Sequence, residues 1–488
     1  MIKLHVGPAQ SRIEGLTHLP DIDALSAELS YFIPGYKYSP KYKYGNWDGR
    51  ERLLTRTLGF PSGLVERVSD FLSRKGHEID IEEHIDYPEE QEPLPWKGFE
   101  LRPYQVDVVE RALSAHRGMI KMATGGGKSA TLTSIVGTYN VPTMVYVVSL
   151  DLLTQLHSTM EEFLGVEIGI IGGGQCEIKE INVCSVWTIG KACGEKVKNE
   201  EEDVSIDKWD PSDDQKKAIL DAVSGAQCVI LDEAQFAAAS TVRVILKNST
   251  SAAYKFGCSA TPFRTNGDDL LLEAAFGSQI CDISASELID KGYLVPPKIV
   301  WRDIPEPPRP LPKKWAAVKS AYITNNDIRN DIIIENTKAL LEMGRRPLVL
   351  FREIKHGKIL KSMIPSNIRT RFVTGALSLD ERDAIREEFL AGEVDLILAS
   401  VVYDQGIDLP ELDALVLAGG GKSTAKMLQR IGRVIRASPG KEDAIVVDMF
   451  DQARYVQGHS IIRYGICSKE SKFVLKTEEA MTAALDFG

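Results

Sequence analysis

The run Met122-Ala-Thr-Gly-Gly-Gly-Lys-Ser129 sits between a short apolar stretch and a helix-compatible segment. That is the setting of a strand–loop–helix unit that cradles phosphate. Gly125, Gly126 and Gly127, with Thr124 beside them, let the backbone turn tightly and aim N–H groups at phosphate oxygens. Lys128 can neutralise charge at the β and γ positions, and Ser129 can offer a hydroxyl to Mg²⁺. The strict pattern G-x-x-x-x-G-K-[ST] is not met, and an alanine-led variant running from Ala123 stands in its place. An ordinary strand-to-helix loop can have the same composition, so the reading depends on partners downstream.

Two partners are present. Val229-Ile-Leu-Asp-Glu-Ala-Gln235 is an apolar run ending in two acids about a hundred residues beyond the glycine loop. There Asp232 is expected to hold Mg²⁺ through its water shell, and Glu233 to orient or deprotonate the water that attacks a γ-phosphate. Gln429-Arg-Ile-Gly-Arg-Val-Ile-Arg436 sets Gln429, Arg433 and Arg436 at helix-compatible spacings. Arginines so placed can stabilise charge on a transferred phosphoryl group. Taken singly, the acids could be a solvated loop and the arginines a basic helix face in water. Together and in this order they predict ATP hydrolysis with ATP and Mg²⁺ as cofactors.

The chain around these motifs alternates β-branched runs with helix-length polar segments. Strands are expected at residues 143–148, 181–183, 228–231 and 255–258, and again at 347–351, 396–398, 414–417 and 444–447. The alternation predicts α/β architecture with two doubly wound parallel sheets and ligands at the carboxyl ends of the strands. At 488 residues the chain is long enough for about three domains. Composition shifts place an N-terminal domain at 1–95, a nucleotide-binding domain at 96–295, a proline-rich linker at 296–320 and a second α/β domain at 321–488. The charged stretch Glu195 to Lys217 reads as a surface insertion or mobile loop.

The formal net charge of −11 excludes a generally cationic surface, yet a polyanion can be held by one local groove. The sign reverses between Tyr31 and Lys75. There Lys37, Lys41, Lys43 and Arg50 interleave with Tyr31, Phe32, Tyr36, Tyr38, Tyr42, Tyr44 and Trp47. Cations can grip phosphates while aromatics stack on bases, so Lys41, Lys43, Trp47 and Arg50 are candidate nucleic-acid contacts, although a small domain also needs aromatics for its core. No apolar run approaches the roughly 18 residues that span a bilayer. The amino terminus lacks the apolar core of a secretory signal, which predicts a cytoplasmic location. Seven scattered cysteines without a C-x-x-C pair read as reduced thiols.

Six stretches stand in one order: Arg102-Pro-Tyr-Gln105, residues 123–129, Asp232-Glu-Ala-Gln235, Ser259-Ala-Thr261, residues 399–408 and residues 429–436. In that order they resemble the motif series of superfamily 2 DNA helicases. Within that superfamily the chain most resembles the UvsW-like recombination and branch-migration helicases of bacteriophages. Tyr44-Gly-Asn-Trp-Asp-Gly-Arg50, Ile171-Gly-Gly-Gly174 and His356-Gly-Lys358 belong to the resemblance, which extends over nearly the whole chain. It implies two RecA-like domains behind a small α+β N-terminal domain. It also implies a helicase or translocase that remodels forks, D-loops and Holliday junctions in recombination, repair and replication. The chain would act on single-stranded and branched DNA, away from membranes, in the host cytoplasm if of phage origin. It would work as a monomer, with recombination or replication proteins as possible partners.

The same resemblance assigns Gln105, with Arg102 and Tyr104, to the adenine pocket, and Gly406 and Asp408 to the far wall of the nucleotide cleft. Ser259 and Thr261 would couple hydrolysis to the nucleic-acid path. Strand contacts would come from Ser149 and Gln155, Gly173, Ser185 and Thr188, and Thr374, Gly375 and Ser400, through amides and hydroxyls on phosphates. Gln235 departs from the pattern by standing where a histidine is usual, which bears on coupling more than on the metal. Val148 and Trp187 depart too, standing where a proline and a glutamine are common. Because the nucleotide motifs all follow Glu100, removal of residues 1–95 is expected to leave the motor active. An RNA-directed or non-unwinding translocase, an ATP-gated strand-annealing protein and the motor half of a restriction system remain alternatives.

Overall fold

The computed structural model describes residues 1–33, 35–195, 207–261, 269–306, 312, 314–375, 377, 379–400, 411–421 and 424–476. By its contacts the chain forms two units. One comprises Met1–Met122 and Gly127–Asp282, the other Ala123–Gly126 and Ile283–Gly488. The expected boundaries fall differently: residues 1–95 are not a body apart, and the helix Ala285–Asp290 belongs to the second unit.

The first unit is built on an eight-stranded sheet. Its five central strands run in the order Ile181–Ser185, Thr143–Val147, Cys228–Asp232, Tyr254–Ser259 and Arg117–Met122, all parallel. The four expected strands of this block are all present. Thr143–Val147 and Cys228–Asp232 are buried along their whole length, as strands covered by helices on both faces must be. Phosphate loop, acidic pair and Ser259 therefore leave the same edge of neighbouring strands.

A four-stranded mixed sheet at the N-terminus orders its strands Gly59–Pro61, Gln10–Glu14, Ile2–Val6 and Ile79–Glu83. Its core is shared with the helix Asp269–Phe276 of the eight-stranded sheet's layer. Leu270 and Leu271 are buried in one cluster with Leu4, Phe60, Leu64 and Leu72. The Arg67 guanidinium grips the Glu273 carboxylate, Nη2 to Oε2 being 2.6 Å. Gly63 approaches the same helix so closely that a Cβ would fall 2.1 Å from the Glu273 carbonyl oxygen. Removing residues 1–95 would strip this apolar face from the helix Asp269–Phe276.

The second unit carries seven parallel strands in the order Thr370–Val373, Leu396–Ser400, Pro347–Phe351, Ala414–Leu417, Ala444–Asp451, Pro297–Ile304 and Val474–Lys476. Its four expected strands are present, and a further strand lies where a linker is expected. Pro297–Ile304, assigned to the linker, is flanked on both sides in the sheet, with Ile299 and Trp301 fully buried. Pro297 costs little as the first residue of a strand, and the proline density further on obscured the alternation of Ile299 and Trp301. Within this unit Arg329 is buried against Asp451 and the Ala418 carbonyl at 2.8 and 2.7 Å.

Of the charged stretch, residues 196–206 lie outside the described residues, and residues 212–217 differ from expectation. Ser212 opens the helix Asp213–Gly225 through a capping box, accepting from the Gln215 N–H at 3.3 Å while Gln215 Oε1 accepts from the Ser212 N–H at 2.9 Å. Asp213 and Asp214 occupy its first turn, where the helix dipole favours acids. All seven cysteines are free thiols. Among the described residues no helix is long and apolar enough to cross a membrane.

Candidate functional site

The helix Lys128–Tyr139 starts on Gly127, whose φ of +79° is open to glycine without strain. A side chain there would also collide with the neighbouring helix, because a Cβ would lie 2.3 Å from Gln105 Nε2. Gln105 is buried at the first turn of Pro103–Ala115. Its Oε1 accepts from the Arg102 N–H at 2.9 Å, and its amide donates to the Gly127 carbonyl at 3.4 Å. Arg102 Nη1 donates to the Tyr104 hydroxyl at 3.1 Å. Three residues assigned to the adenine pocket thus form one network on the phosphate loop.

Ala123–Gly126 groups with the second unit. There a Cβ on Gly125 would fall 2.9 Å from Leu294 Cδ2 and 3.5 Å from Arg436 Cγ, and one on Gly432 would fall 2.4 Å from Thr124 Cβ. The helix Thr424–Val434 carries Gln429 and Arg433, both half-buried, and Arg436 follows in a bridge to Leu294. Gly406 and Asp408 lie outside the described residues.

Lys128 Nζ stands 3.4 Å from Asp232 Oδ1 and 3.2 Å from Glu233 Oε1. Burial works against its charge, but Asp232 and Glu233 outweigh that, and the ammonium is held well above the usual lysine range. Burial pushes the Asp232 carboxyl up, with Lys128 pulling it back and Glu233 adding to the rise. Glu233 adopts φ +58° and ψ +55°, a left-handed conformation that costs a non-glycine residue about 1 kcal/mol or more. Such strain at the end of a strand turns the carboxylate back toward Lys128. Ser129 and Asp232, a hydroxyl and a carboxylate, are hard oxygen donors of the kind that suits Mg²⁺.

From Glu233 a hydrogen-bond chain crosses to the next strand. Gln235 Nε2 donates to Glu233 Oε2 at 2.7 Å, Ser259 Oγ donates to Gln235 Oε1 at 2.6 Å, and the Thr261 N–H donates to Ser259 Oγ at 3.0 Å. All four residues are buried, and Thr261 Oγ1 has no hydrogen-bond partner among the described residues. In the sequence Gln235 stands out only as a departure from pattern. Its two-ended amide makes it the link, a role legible only once the strands are paired.

The expected strand contacts divide into two groups. In the first unit, Ser149 caps the helix Leu150–Leu164, its Oγ accepting from the Leu152 N–H at 3.3 Å, and Gln155 lies exposed on that helix. Gly173 and Thr188 meet at one carboxylate, that of Asp207: the Gly173 N–H donates to Oδ2 at 2.8 Å and Thr188 Oγ1 at 2.6 Å. Ser185 is buried, and its Oγ has no partner among the described residues. In the second unit Thr374, Gly375 and Ser400 leave adjacent strands, Val373 pairing with Ala399. Ser400 Oγ is likewise buried without a partner among the described residues.

In the N-terminal basic segment Lys41 and Lys43 are exposed. Trp47 is half-buried and donates Nε1 to the Arg50 carbonyl at 2.8 Å, while Arg50 lies over the Phe32 ring at 4.2 Å. These two are spent on the local fold. Tyr38 and Tyr44, 82% and 80% exposed, are the freer stacking surfaces. A surface recess nearby in the chain is lined by Lys37, Tyr42, Lys43, Asn46, Trp47 and Asp48.

Comparison with known proteins adds three family matches: residues 98–264 match the res subunit of type III restriction enzymes, 320–438 the helicase conserved C-terminal domain and 21–82 the N-terminal domain of the DNA helicase UvsW. The chain is similar to the ATP-dependent DNA helicase uvsW of Enterobacteria phage T4, 25% identical across 92% of this chain and 94% of that protein. It is also similar to the DNA 3'-5' translocase XPB2 of Sulfurisphaera tokodaii, 25% identical across 86% and 93%. Among solved structures, the type ISP restriction-modification enzyme LlaBIII bound to DNA shares the fold, with a TM-score of 0.55 and 16% identity over 84% of this chain and 34% of that one.

Proposed function

Because this chain belongs to the superfamily 2 ATP-dependent DNA helicases and carries a UvsW-type N-terminal domain, we propose that it is directed to branched DNA, such as forks, D-loops and four-way junctions. The observation that carries this reading is the shared core of the N-terminal sheet and the helix Asp269–Phe276. An exposed basic, aromatic surface is thereby fixed to the unit that holds Lys128 and Glu233. A strand junction gripped by Lys41, Lys43, Tyr38 and Tyr44 would then move rigidly with that unit.

In the proposed mechanism Lys128 leaves its carboxylate partners to hold the β- and γ-phosphates of ATP, and Ser129 with Asp232 would hold Mg²⁺. Bound there, the ion would neutralise phosphate charge. Glu233, released from Lys128, orients the attacking water and takes its proton. Gln235 then carries the state of Glu233 to Ser259 and Thr261. Gln105, Arg102 and Tyr104 select the base. Arg433 and Arg436 stabilise charge on the transferred phosphoryl group, and alternating strand affinity converts the cycle into stepping. Thr374, Gly375 and Ser400 are the proposed strand contacts of the second unit.

The test compares ATPase and strand-separation rates on single-stranded DNA, forks, four-way junctions and RNA. The variant combines Tyr38→Ala, Tyr44→Ala, Lys41→Ala and Lys43→Ala. Two lost stacking contacts are expected to reduce fork processing by roughly tenfold or more, while ATPase on a plain single strand stays within about twofold. An intact fork preference in the folded variant would remove this segment as the branched-DNA reader.

A further inference from the structure

Asp207 is buried to 2% exposure, although it lies in a strongly acidic stretch of the chain. Its carboxylate is held in a specific cradle. Gly173 and Gly174, both at positive φ, form the tight turn between the antiparallel strands Gly169–Gly172 and Gln175–Glu177. That turn points the Gly173 N–H at Asp207 Oδ2, 2.8 Å away. The Thr188 hydroxyl donates to the same oxygen at 2.6 Å from the helix Val186–Ala192. One turn along that helix, Lys191 Nζ donates to the carbonyls of Asp207 and Trp209 at 2.8 and 2.6 Å. Asp207 Oδ1 accepts from the Trp209 N–H at 3.0 Å, which shapes the segment into a local turn.

A backbone amide and a hydroxyl meet on one carboxylate oxygen, with an ammonium on the backbone carbonyls beside it, and these three are groups that bind a nucleic-acid phosphate. The cradle also holds a donor that the strap leaves unused. Ser185 is 2% exposed, and its Oγ has no partner among the described residues. A Cβ built on Gly172 would meet both Ser185 Cβ at 2.6 Å and Asp207 Oδ2 at 3.2 Å, so the two flank one point. A phosphate, with more acceptor oxygens than a carboxylate, can engage this fourth donor.

We infer that residues 207–209 are an autoinhibitory strap in which Asp207 imitates a DNA phosphate, and that single-stranded DNA must displace it to bind. The inference rests on the reading of Gly173 and Thr188 as strand contacts. Displacement frees the Gly173 N–H, the Thr188 hydroxyl and the Lys191 ammonium together. The strap lowers apparent affinity by the fraction of molecules in which it is seated.

The experiment measures binding of fluorescent oligo(dT) to the full chain and to four variants, with thermal melting as a control of folding. Asp207→Asn keeps an acceptor for both donors but removes the charge, and is expected to tighten binding by roughly fivefold. Asp207→Ala is expected to do at least as much. Asp210→Asn removes a charge three residues away, on an exposed carboxylate paired with Lys216 at 3.1 Å, and is expected to leave affinity within about twofold. Equal tightening by this control would reduce the effect to general repulsion and overturn the strap. Thr188→Val tests the underlying reading: unchanged oligo(dT) affinity in a folded variant removes the strand site itself. On the unsubstituted protein, hydrogen exchange at residues 207–212 is expected to rise when oligo(dT) saturates the chain. Weaker binding by Thr188→Val, with flat exchange and no tightening at Asp207, would keep the strand site and overturn the strap.

Discussion

The side-chain amide of Gln235 donates to Oε2 of Glu233 over 2.7 Å, so the carboxylate at the end of one strand is bonded to a residue that in turn holds Ser259 on the next. Gln235→Ala breaks this chain at its middle while leaving Lys128 beside Glu233. ATP binding is expected to persist. DNA stimulation of kcat should fall by roughly 10- to 100-fold, the scale of one hydrogen bond to a charged group. Steady-state ATPase with and without single-stranded DNA checks this; undiminished stimulation would mean that Ser259 is reached by another route.

Lys128→Ala removes the cation and leaves Asp232 and Glu233 buried without it, so hydrolysis should be abolished and the first unit should melt at a lower temperature. Glu233→Gln keeps the shape of the site. It should bind ATP and retain it unhydrolysed, with kcat reduced by about 10²-fold or more. Nucleotide binding and single-turnover hydrolysis separate the two, and normal cycling of Glu233→Gln would reassign the carboxylate.

Arg433→Ala or Arg436→Ala should lower kcat by roughly 10³-fold if either acts on the transferred phosphoryl group, with little change in initial ATP affinity. A small loss seen only in DNA affinity would instead move these arginines to the strand path.

His356 is 1% exposed and bonds through Nε2 to Asn330 Oδ1 at 2.9 Å. Burial, with the Arg329 charge nearby, pushes its pKa down to about 3. The unfolded chain therefore takes up a proton below about pH 6.5 that the folded chain refuses. Stability associated with His356 should be fully present above pH 6.5 and decline toward pH 3, at up to about 1.4 kcal/mol per pH unit. His356→Gln should flatten that part of the profile for the second unit. Urea unfolding between pH 4 and 8 gives the slope, and an unaltered slope in the variant would place the acid sensitivity elsewhere.

Local pattern was enough for much of this protein. Eight strands were legible because a strand buried on both faces, such as Val229-Ile-Leu231, must be a continuous apolar run. The phosphate loop was legible because tight phosphate wrapping demands glycine followed by Lys128 and Ser129. Contacts between distant segments were not legible, since nothing local records them. The strand Pro297–Ile304 was hidden because its alternation matters only beside Ala444–Asp451. The dependence of the N-terminal sheet on Leu270 and Leu271 was hidden because those leucines suit any buried helix. Asp207 read as one more solvated acid in a charged stretch. Its burial follows from the meeting of a glycine turn, a threonine and a lysine drawn from separate elements, and only the folded chain assembles that set of donors.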